Sequence, residues 1–317
     1  MHLFIDFPSW ISPTVFPKLT IRWYAIMYLV AFAITYVVFK YVNKKEHTLS
    51  DMNADTIVDL FMYLIIGLIV GARVFATLIY EGNSYYWVHP WMIFWPFRNG
   101  HFVGLPGMSY HGGAIGAALG CFFFCRRYKY KFFKISDIIL TGTPLGYTFG
   151  RLGNFINGEL WGRCTGSSYG MVFPDAPYFS TRLAWVREAC NKAGIKFTTG
   201  DLVNLPRHPS QLYEALFEGV VLFLVIWFIV KPFLKKKDCP FGEGFITGFY
   251  FVFYGFVRFI IEYFREPDEQ LGFIIALGKE SEPTALFKSV FNISMGQILC
   301  VLTIAAGLFV IKKSKKK

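Results

Sequence analysis

Several polar side chains in this chain fall where a lipid bilayer makes them expensive. Arg73, Arg151 and Arg258 lie inside apolar stretches, Glu262 follows Arg258 by one helical turn, and His111 and Glu159 stand at or just beyond the ends of such stretches. A charged group at mid-bilayer costs on the order of 2.5–3.5 kcal/mol on insertion scales, so each needs a reason. A guanidinium is planar, stays protonated when desolvated and grips phosphate through two parallel N–H bonds. At 1.5 Å per residue the three arginines lie roughly 22–27 Å from the cytoplasmic side of a core about 30 Å thick. Tyr24 and His111 begin stretches running the other way, which puts them at the same level. The set describes an anion site in the outer half of a bilayer, where the abundant anions are phospholipid phosphates. The alternative is a network of helix-bridging ion pairs, and Arg258 and Glu262, spaced i,i+4, can neutralise each other.

The run Gly150-Arg151-Leu152-Gly153-Asn154-Phe155-Ile156-Asn157-Gly158-Glu159-Leu160-Trp161-Gly162 adds backbone freedom and amide donors to this picture. Glycine allows a close approach to a ligand, and Asn154 and Asn157 offer hydrogen bonds to phosphate or glycerol oxygens. No βαβ pattern surrounds the run, so it is not a dinucleotide-binding fingerprint. Ser109-Tyr110-His111-Gly112-Gly113 similarly sets one imidazole beside a pliable backbone.

Apolar helices must carry these groups. Of 317 residues, 54% are hydrophobic and 17% charged, against about 25% charged in soluble domains. Crossing the hydrocarbon core takes roughly 20 residues, and stretches at 22–41, 55–80, 110–125, 135–153, 210–230, 243–264 and 294–311 qualify. The third and fourth are short or glycine-rich, which suits a tilted or partly re-entrant path. The expected fold is an all-α integral membrane protein of about seven transmembrane helices, one polytopic domain over 1–317 with a small extracytoplasmic insertion at 154–209. Residues 1–20 read as a retained interfacial lead-in rather than a signal peptide, because no Lys or Arg precedes Lys18 and three prolines interrupt the segment.

The net charge of +11 is carried by short runs between spans: Lys40, Lys44 and Lys45; Arg126 to Lys134; Lys231 to Lys237; and Lys312 to Lys317. The alternate loops 81–109, 154–209 and 265–293 are longer and poorer in Lys and Arg. By the positive-inside bias the C-terminus is cytoplasmic and the N-terminus extracytoplasmic. This distribution marks topology rather than nucleic-acid binding. Trp87, Trp91 and Trp95 read as an interfacial aromatic anchor or, alternatively, a lipid-substrate platform. The six cysteines show no metal-ligand spacing, and Cys164 and Cys190 are either buried thiols or a disulfide.

These residues closely resemble the prolipoprotein diacylglyceryl transferase family. The run Gly150 to Gly162 looks like that family's signature at every characteristic position. Support extends through Arg22-Trp23-Tyr24, Gly71-Ala72-Arg73, His111-Gly112-Gly113, the segment His208 to Glu214, Tyr254 to Phe259 with Glu262, Arg265-Glu266-Pro267-Asp268 and Ser294 to Gln297. Two departures are Ala25, where the family usually has Gly, and a longer loop at 269–293. The resemblance implies transfer of the diacylglyceryl group of phosphatidylglycerol to the lipobox cysteine thiol of a prolipoprotein signal peptide. A thioether forms, glycerol 1-phosphate leaves, and no cofactor or metal is implied. It assigns Arg151 and Arg258 to the phosphate, and Tyr24, Asn154, Asn157, Glu159, Gly162 and Glu262 to the headgroup pocket. His111 becomes the base for the thiol or, alternatively, a structural hydrogen-bonding residue. The implied location is the bacterial cytoplasmic (inner) membrane.

Chemistry agrees with the assignment. A cysteine titrates near 8.5, so forming the thiolate requires a base or a positive field, and the leaving phosphate gains charge that fixed cations stabilise. A transporter for an anionic lipid or metabolite would also place arginines in the membrane, but it predicts repeat symmetry and a path open to both faces.

Overall fold

Seven hydrophobic stretches separated by basic or Gly/Pro-containing breaks become helices in the computed structural model. It describes every residue except 1–3, 17, 18, 47, 50, 81–83, 99, 103, 105, 106, 268–271, 278–284, 288 and 317. Asp268 and part of the loop 269–293 therefore lie outside the described residues. The helices are α1 (Trp23–Glu46), α2 (Ala54–Phe75), the short α3 (Ser84–Val88), α4 (Tyr110–Tyr128), α5 (Phe132–Ile156), the polar α6 (Ala184–Ala193), α7 (Ser210–Leu234), α8 (Phe245–Ile261) and α9 (Met295–Lys313). Among the described residues four helices, α1, α2 extended to Ile79, α7 and α9, are long and apolar enough to cross a bilayer, and α8 is a shorter apolar helix. The protein is thus a mostly helical, multi-pass membrane protein. Its strands are short, at most four residues, and pair only two at a time.

The chain divides into two compact units, one of Met1–Val38 with Ile139–Lys317 and the other of Phe39–Ile138. Both boundaries fall inside helices, α1 and α5.

In the second unit α2 and α4 meet on a seam of glycines. Gly67 and Gly71 of α2 lie against Gly112, Gly116 and Gly120 of α4, and a Cβ at Gly71 or Gly116 would collide with the opposite backbone. Small residues four apart let two helices approach where no hydrophobic drive separates protein from lipid. The start of α4 is fixed by Ser109, whose hydroxyl accepts from Gly112 N (3.2 Å) and whose backbone N–H donates to Ala72 O (3.0 Å). Trp87, Trp91 and Trp95 are all exposed, but Pro90 breaks the helix between them, so they share no helical face.

In the first unit α1 packs on α5 through Gly142 and Gly146, where an added Cβ would press on Val38, Ala31 and Thr35. Gly153 likewise sits under Tyr24 and Met27. Gly248 and Gly307 give α8 and α9 the same close contact. α7 carries two π-helical segments, Ala215–Val221 and Ile226–Val230, of a kind that recurs at functional sites.

Between α5 and α7 the chain forms a small body with its own apolar core. Val186, Cys190, Val203 and Leu205 form its core, with Cys164 packed against them. A second cluster of Met171, Phe173 and Ala176 packs with Phe7, Phe155 and Trp161, and Ile5 pairs with Met171 in parallel. The six cysteines are all free thiols. Burial pushes the Cys164 thiol up to about 11, so it stays protonated.

Candidate active site

The first unit gathers its charges where α5 ends, α7 begins and α8 ends. α5 contains Pro144, which cannot donate to the helix ladder, and continues to Ile156. Its last turns carry Tyr147, Arg151 and Asn154 on one face, at i, i+4 and i+7. Beyond it Gly158 (φ 67°) and Leu160 (φ 58°) turn the chain through left-handed conformations. That turn brings Glu159 back under the helix: Glu159 Oε1 accepts from Asn154 Nδ2 (2.9 Å) and Asn157 Nδ2 (3.5 Å). Asn154 Oδ1 in turn accepts from Arg151 Nη1 (3.5 Å). The run from Arg151 to Glu159 is therefore one hydrogen-bonded chain of side chains.

Glu214, at the start of α7, is the centre of the site. Its Oε2 lies 2.8 Å from Arg151 Nε, and its Oε1 lies 3.0 Å from Arg258 Nη1 and 3.2 Å from Arg265 Nη1. Glu218, one turn on, has Oε1 at 3.7 Å from Arg258 Nη1. Its other oxygen accepts from the Tyr147 hydroxyl (2.5 Å), which itself accepts from Arg151 Nε (2.7 Å). Arg258 Nη2 pairs with Glu262 at 3.2 Å. Glu262 is held by the Ser294 hydroxyl (3.0 Å), and Ser294 and Gln297 form the capping box that starts α9. Gly296 leaves the space that the Glu262 carboxylate occupies.

Exposure separates the two kinds of charge. The Glu214 side chain is 1% exposed and Glu218 0%, whereas Arg151, Arg258 and Arg265 keep 12%, 14% and 16%. The carboxylates are the more deeply buried partners, and each arginine side chain keeps a small exposed fraction. A guanidinium can take an anion with oxygens spaced like those of phosphate.

A second arginine layer braces the segment between α5 and α7. Arg163 Nε donates to Arg265 O (2.8 Å) and its Nη1 to Leu286 O (3.3 Å). Arg207, fully buried, donates to Glu266 and stacks against the rings of Trp161 and Phe179. Gly162 joins these segments, its N–H bonding His208 O at 2.8 Å. A Cβ there would strike the Phe264 carbonyl and His208. The need for glycine at 162 is thus accounted for by backbone crossing. His208 shares a hydrogen bond with the Tyr213 hydroxyl (3.2 Å), and burial, then Arg163, pushes its imidazole down to about 4.

Of the residues singled out from sequence, Arg151, Asn154, Asn157, Glu159, Arg258 and Glu262 come together in one network. Tyr24 packs by its backbone over Gly153 and donates to the Tyr28 hydroxyl (2.8 Å). His111 and Arg73 belong to the other unit. His111 sits in the first turn of α4, its ring beside Tyr110. Arg73 is not an anion ligand of the kind its depth suggested. Its Nε donates to Ile93 O (2.6 Å) and its Nη1 to Gly107 O (3.1 Å), with 2% of the residue exposed. Glu214, Glu218 and Arg265 were not assigned to the site, although two glutamates four apart in an apolar run are a visible signal. Arg163 and Arg207 gave no such signal, because they fall in a polar segment. Among the described residues no group of three His, Cys, Asp or Glu could hold a metal ion.

Three partly exposed arginines paired with buried carboxylates in a multi-pass helical protein define a charged site of the kind that handles anions at a bilayer. The comparisons with known proteins narrow this class. Residues 13–312 match the family model for prolipoprotein diacylglyceryl transferase. The chain is 47% identical to the phosphatidylglycerol–prolipoprotein diacylglyceryl transferase of Treponema denticola, over 97% of this chain and 94% of that protein. It is 45% identical to the enzyme of the same name from Treponema pallidum, over 96% and 94%, and 40% identical to that from Chlorobaculum tepidum, over 99% and 96%. The chain belongs to the prolipoprotein diacylglyceryl transferase family.

Proposed function

We propose that this protein transfers the diacylglyceryl group of phosphatidylglycerol to the lipobox cysteine of a prolipoprotein. The names of its relatives supply the donor and the acceptor class, and the meeting of Arg151 and Arg258 at one partly exposed charged cluster is the observation that carries the reading. A transporter is not favoured, since the relatives named above are transferases.

In this reading Arg151 and Arg258 receive the phosphate. The thiolate sulfur attacks the primary glyceryl carbon, the S–C bond forms as the C–O bond to phosphate breaks, and the electron pair stays on the phosphate oxygen. Glycerol 1-phosphate leaves carrying one more negative charge than the diester it came from. Fixed cations in a site of low dielectric constant stabilise that developing charge. His111 is the proposed base for the thiol proton, because imidazole is the side chain best suited to general-base catalysis at neutral pH. Tyr24, Asn154, Asn157 and Glu159 shape the headgroup pocket, and Asn157 Oδ1, which has no hydrogen-bond partner, is suited to a glycerol hydroxyl. Glu262 orients Arg258, and Gly162 keeps the crossing segments in place.

The proposal includes a seven-span path in the bacterial cytoplasmic membrane, N-terminus outside and C-terminus inside, with 154–209 on the outer side. Basic residues in the last turns of α1, α4 and α9 support this orientation through the positive-inside bias. The test is to incubate the purified protein with phosphatidylglycerol and a lipobox peptide and to analyse the peptide by mass spectrometry. A thioether-linked diacylglyceryl adduct on cysteine is expected. An unmodified peptide, with a known transferase active in parallel, would refute the reading.

A further inference from the structure

Glu214 poses a question that phosphate binding alone does not answer. A site built only to hold an anion gains nothing from a buried carboxylate among its cations. Yet Glu214 touches Arg151, Arg258 and Arg265 together, and Glu218 and Glu262 add two more carboxylates within 3.7 Å of Arg258. Three guanidiniums thus meet three carboxylates in direct ion pairs.

Glu214 and Glu218 are no more exposed than 1%, and they lie on consecutive turns of α7, Glu218 within its π-helical segment. Both are buried against the arginines, so an anion that reaches these guanidiniums does so in the field of the carboxylates. Charge then decides which species is held tightest. The diester substrate carries one negative charge at its phosphate, and the monoester product approaches two. Opposed by nothing, three arginines would bind the product more tightly than the substrate. A site complementary to its product is slow to turn over, since only interactions stronger in the transition state than in the bound ground states accelerate a reaction.

We propose that Glu214, seconded by Glu218, is a positioning residue that holds the three guanidiniums together and acts as a fixed counter-charge limiting retention of the phosphate monoester product. The inference rests on the reading above that phosphate meets Arg151 and Arg258.

The experiment measures kcat and the inhibition constant of glycerol 1-phosphate, competed against phosphatidylglycerol in lipid nanodiscs with a lipobox peptide. Glu214→Gln keeps the size and one acceptor oxygen but removes the charge. It should tighten the inhibition constant at least tenfold while kcat falls. Glu214→Asp keeps the charge and shifts the geometry, so kcat should fall with the inhibition constant within about threefold of wild type. If Glu214→Gln does not insert, Glu218→Gln reads the same quantity and should tighten inhibition several-fold. An inhibition constant unchanged or weaker in the charge-removing variant, with kcat reduced, would show a merely structural residue and overturn the proposal. Wild type insensitive to glycerol 1-phosphate at any concentration would instead sink the phosphate reading, and this proposal with it.

Discussion

Arg73 and Arg258 are both arginines near the ends of apolar helices, and they do different work. Arg73 is 2% exposed, and its Nε and Nη1 donate to the carbonyls of Ile93 and Gly107, which ties a loop onto its own helix. Arg258 faces the carboxylates of Glu214, Glu218 and Glu262 and keeps 14% of its side chain open. Carbonyls satisfy a guanidinium's donors without cancelling its charge. Carboxylates offset the charge and, when they lie behind it, leave an edge available. Membrane burial therefore identifies an arginine that needs a reason, and the partners it meets determine which reason applies.

The comparison breaks most visibly by conversion to lysine, which keeps the charge and loses the fork. Arg258→Lys and Arg151→Lys should each lower kcat by about 10²–10³, the range seen when one preorganised donor is removed from a developing anion. Arg73→Lys should leave activity per inserted molecule within a few-fold of wild type while lowering yield. Equal losses at all three positions would erase the distinction.

His111→Gln sharpens it from the other unit. If the imidazole takes the thiol proton, activity should fall by about 10² or more near neutrality and recover partly at higher pH as the cysteine ionises unaided. A pH–rate profile parallel to that of wild type would leave His111 a structural role only. His208 does not confuse this profile, because its pKa of about 4 keeps it neutral throughout the neutral range.

The contrast extends to glycines. At Gly116 a Cβ would collide with Gly67, whereas at Gly150 it meets nothing within 4 Å. Gly116→Val should destabilise the α2–α4 pair by at least 1–3 kcal/mol, roughly the range for overpacking, and lower the thermal midpoint in detergent. Gly150→Ala should leave that midpoint unchanged. Similar midpoints for both would contradict the glycine seam.

The smallest effect concerns His208, whose folded pKa of about 4 lies below the ordinary 6.5. The unfolded chain therefore binds a proton that the folded one refuses between these values. This contribution to stability is fully present above pH 6.5 and fades as pH falls towards 4. His208→Gln should flatten that part of the stability profile, and an unaltered slope would argue against the burial that depresses the pKa.

Much of this was legible in sequence because membranes simplify the signal. Apolar runs located the helices, although α1 runs on to Glu46 rather than stopping at 41, since its lysines extend the helix past the apolar core. The Gly150–Gly162 run and the i,i+4 spacing of Arg258 and Glu262 pointed to the network that forms. Depth alone misplaced Arg73 among the anion ligands, because sequence gives the level of a side chain but not its neighbours. Glu214 and Glu218 stand out four apart in an apolar run, but sequence does not show that they meet Arg151 and Arg258. Arg163 and Arg207 could not be found at all, since their burial depends on Phe273, Phe287, Trp161 and Phe179 arriving from distant segments.

The central claim is that Arg151 and Arg258 receive a lipid phosphate while both keep their contacts to Glu214. A structure of the protein in a nanodisc containing phosphatidylglycerol tests it most directly. The account predicts phosphate oxygens within about 2.7–3.2 Å of both guanidiniums, with the Glu214 contacts retained. A headgroup bound elsewhere, with both arginines still turned wholly onto their carboxylates, would contradict it.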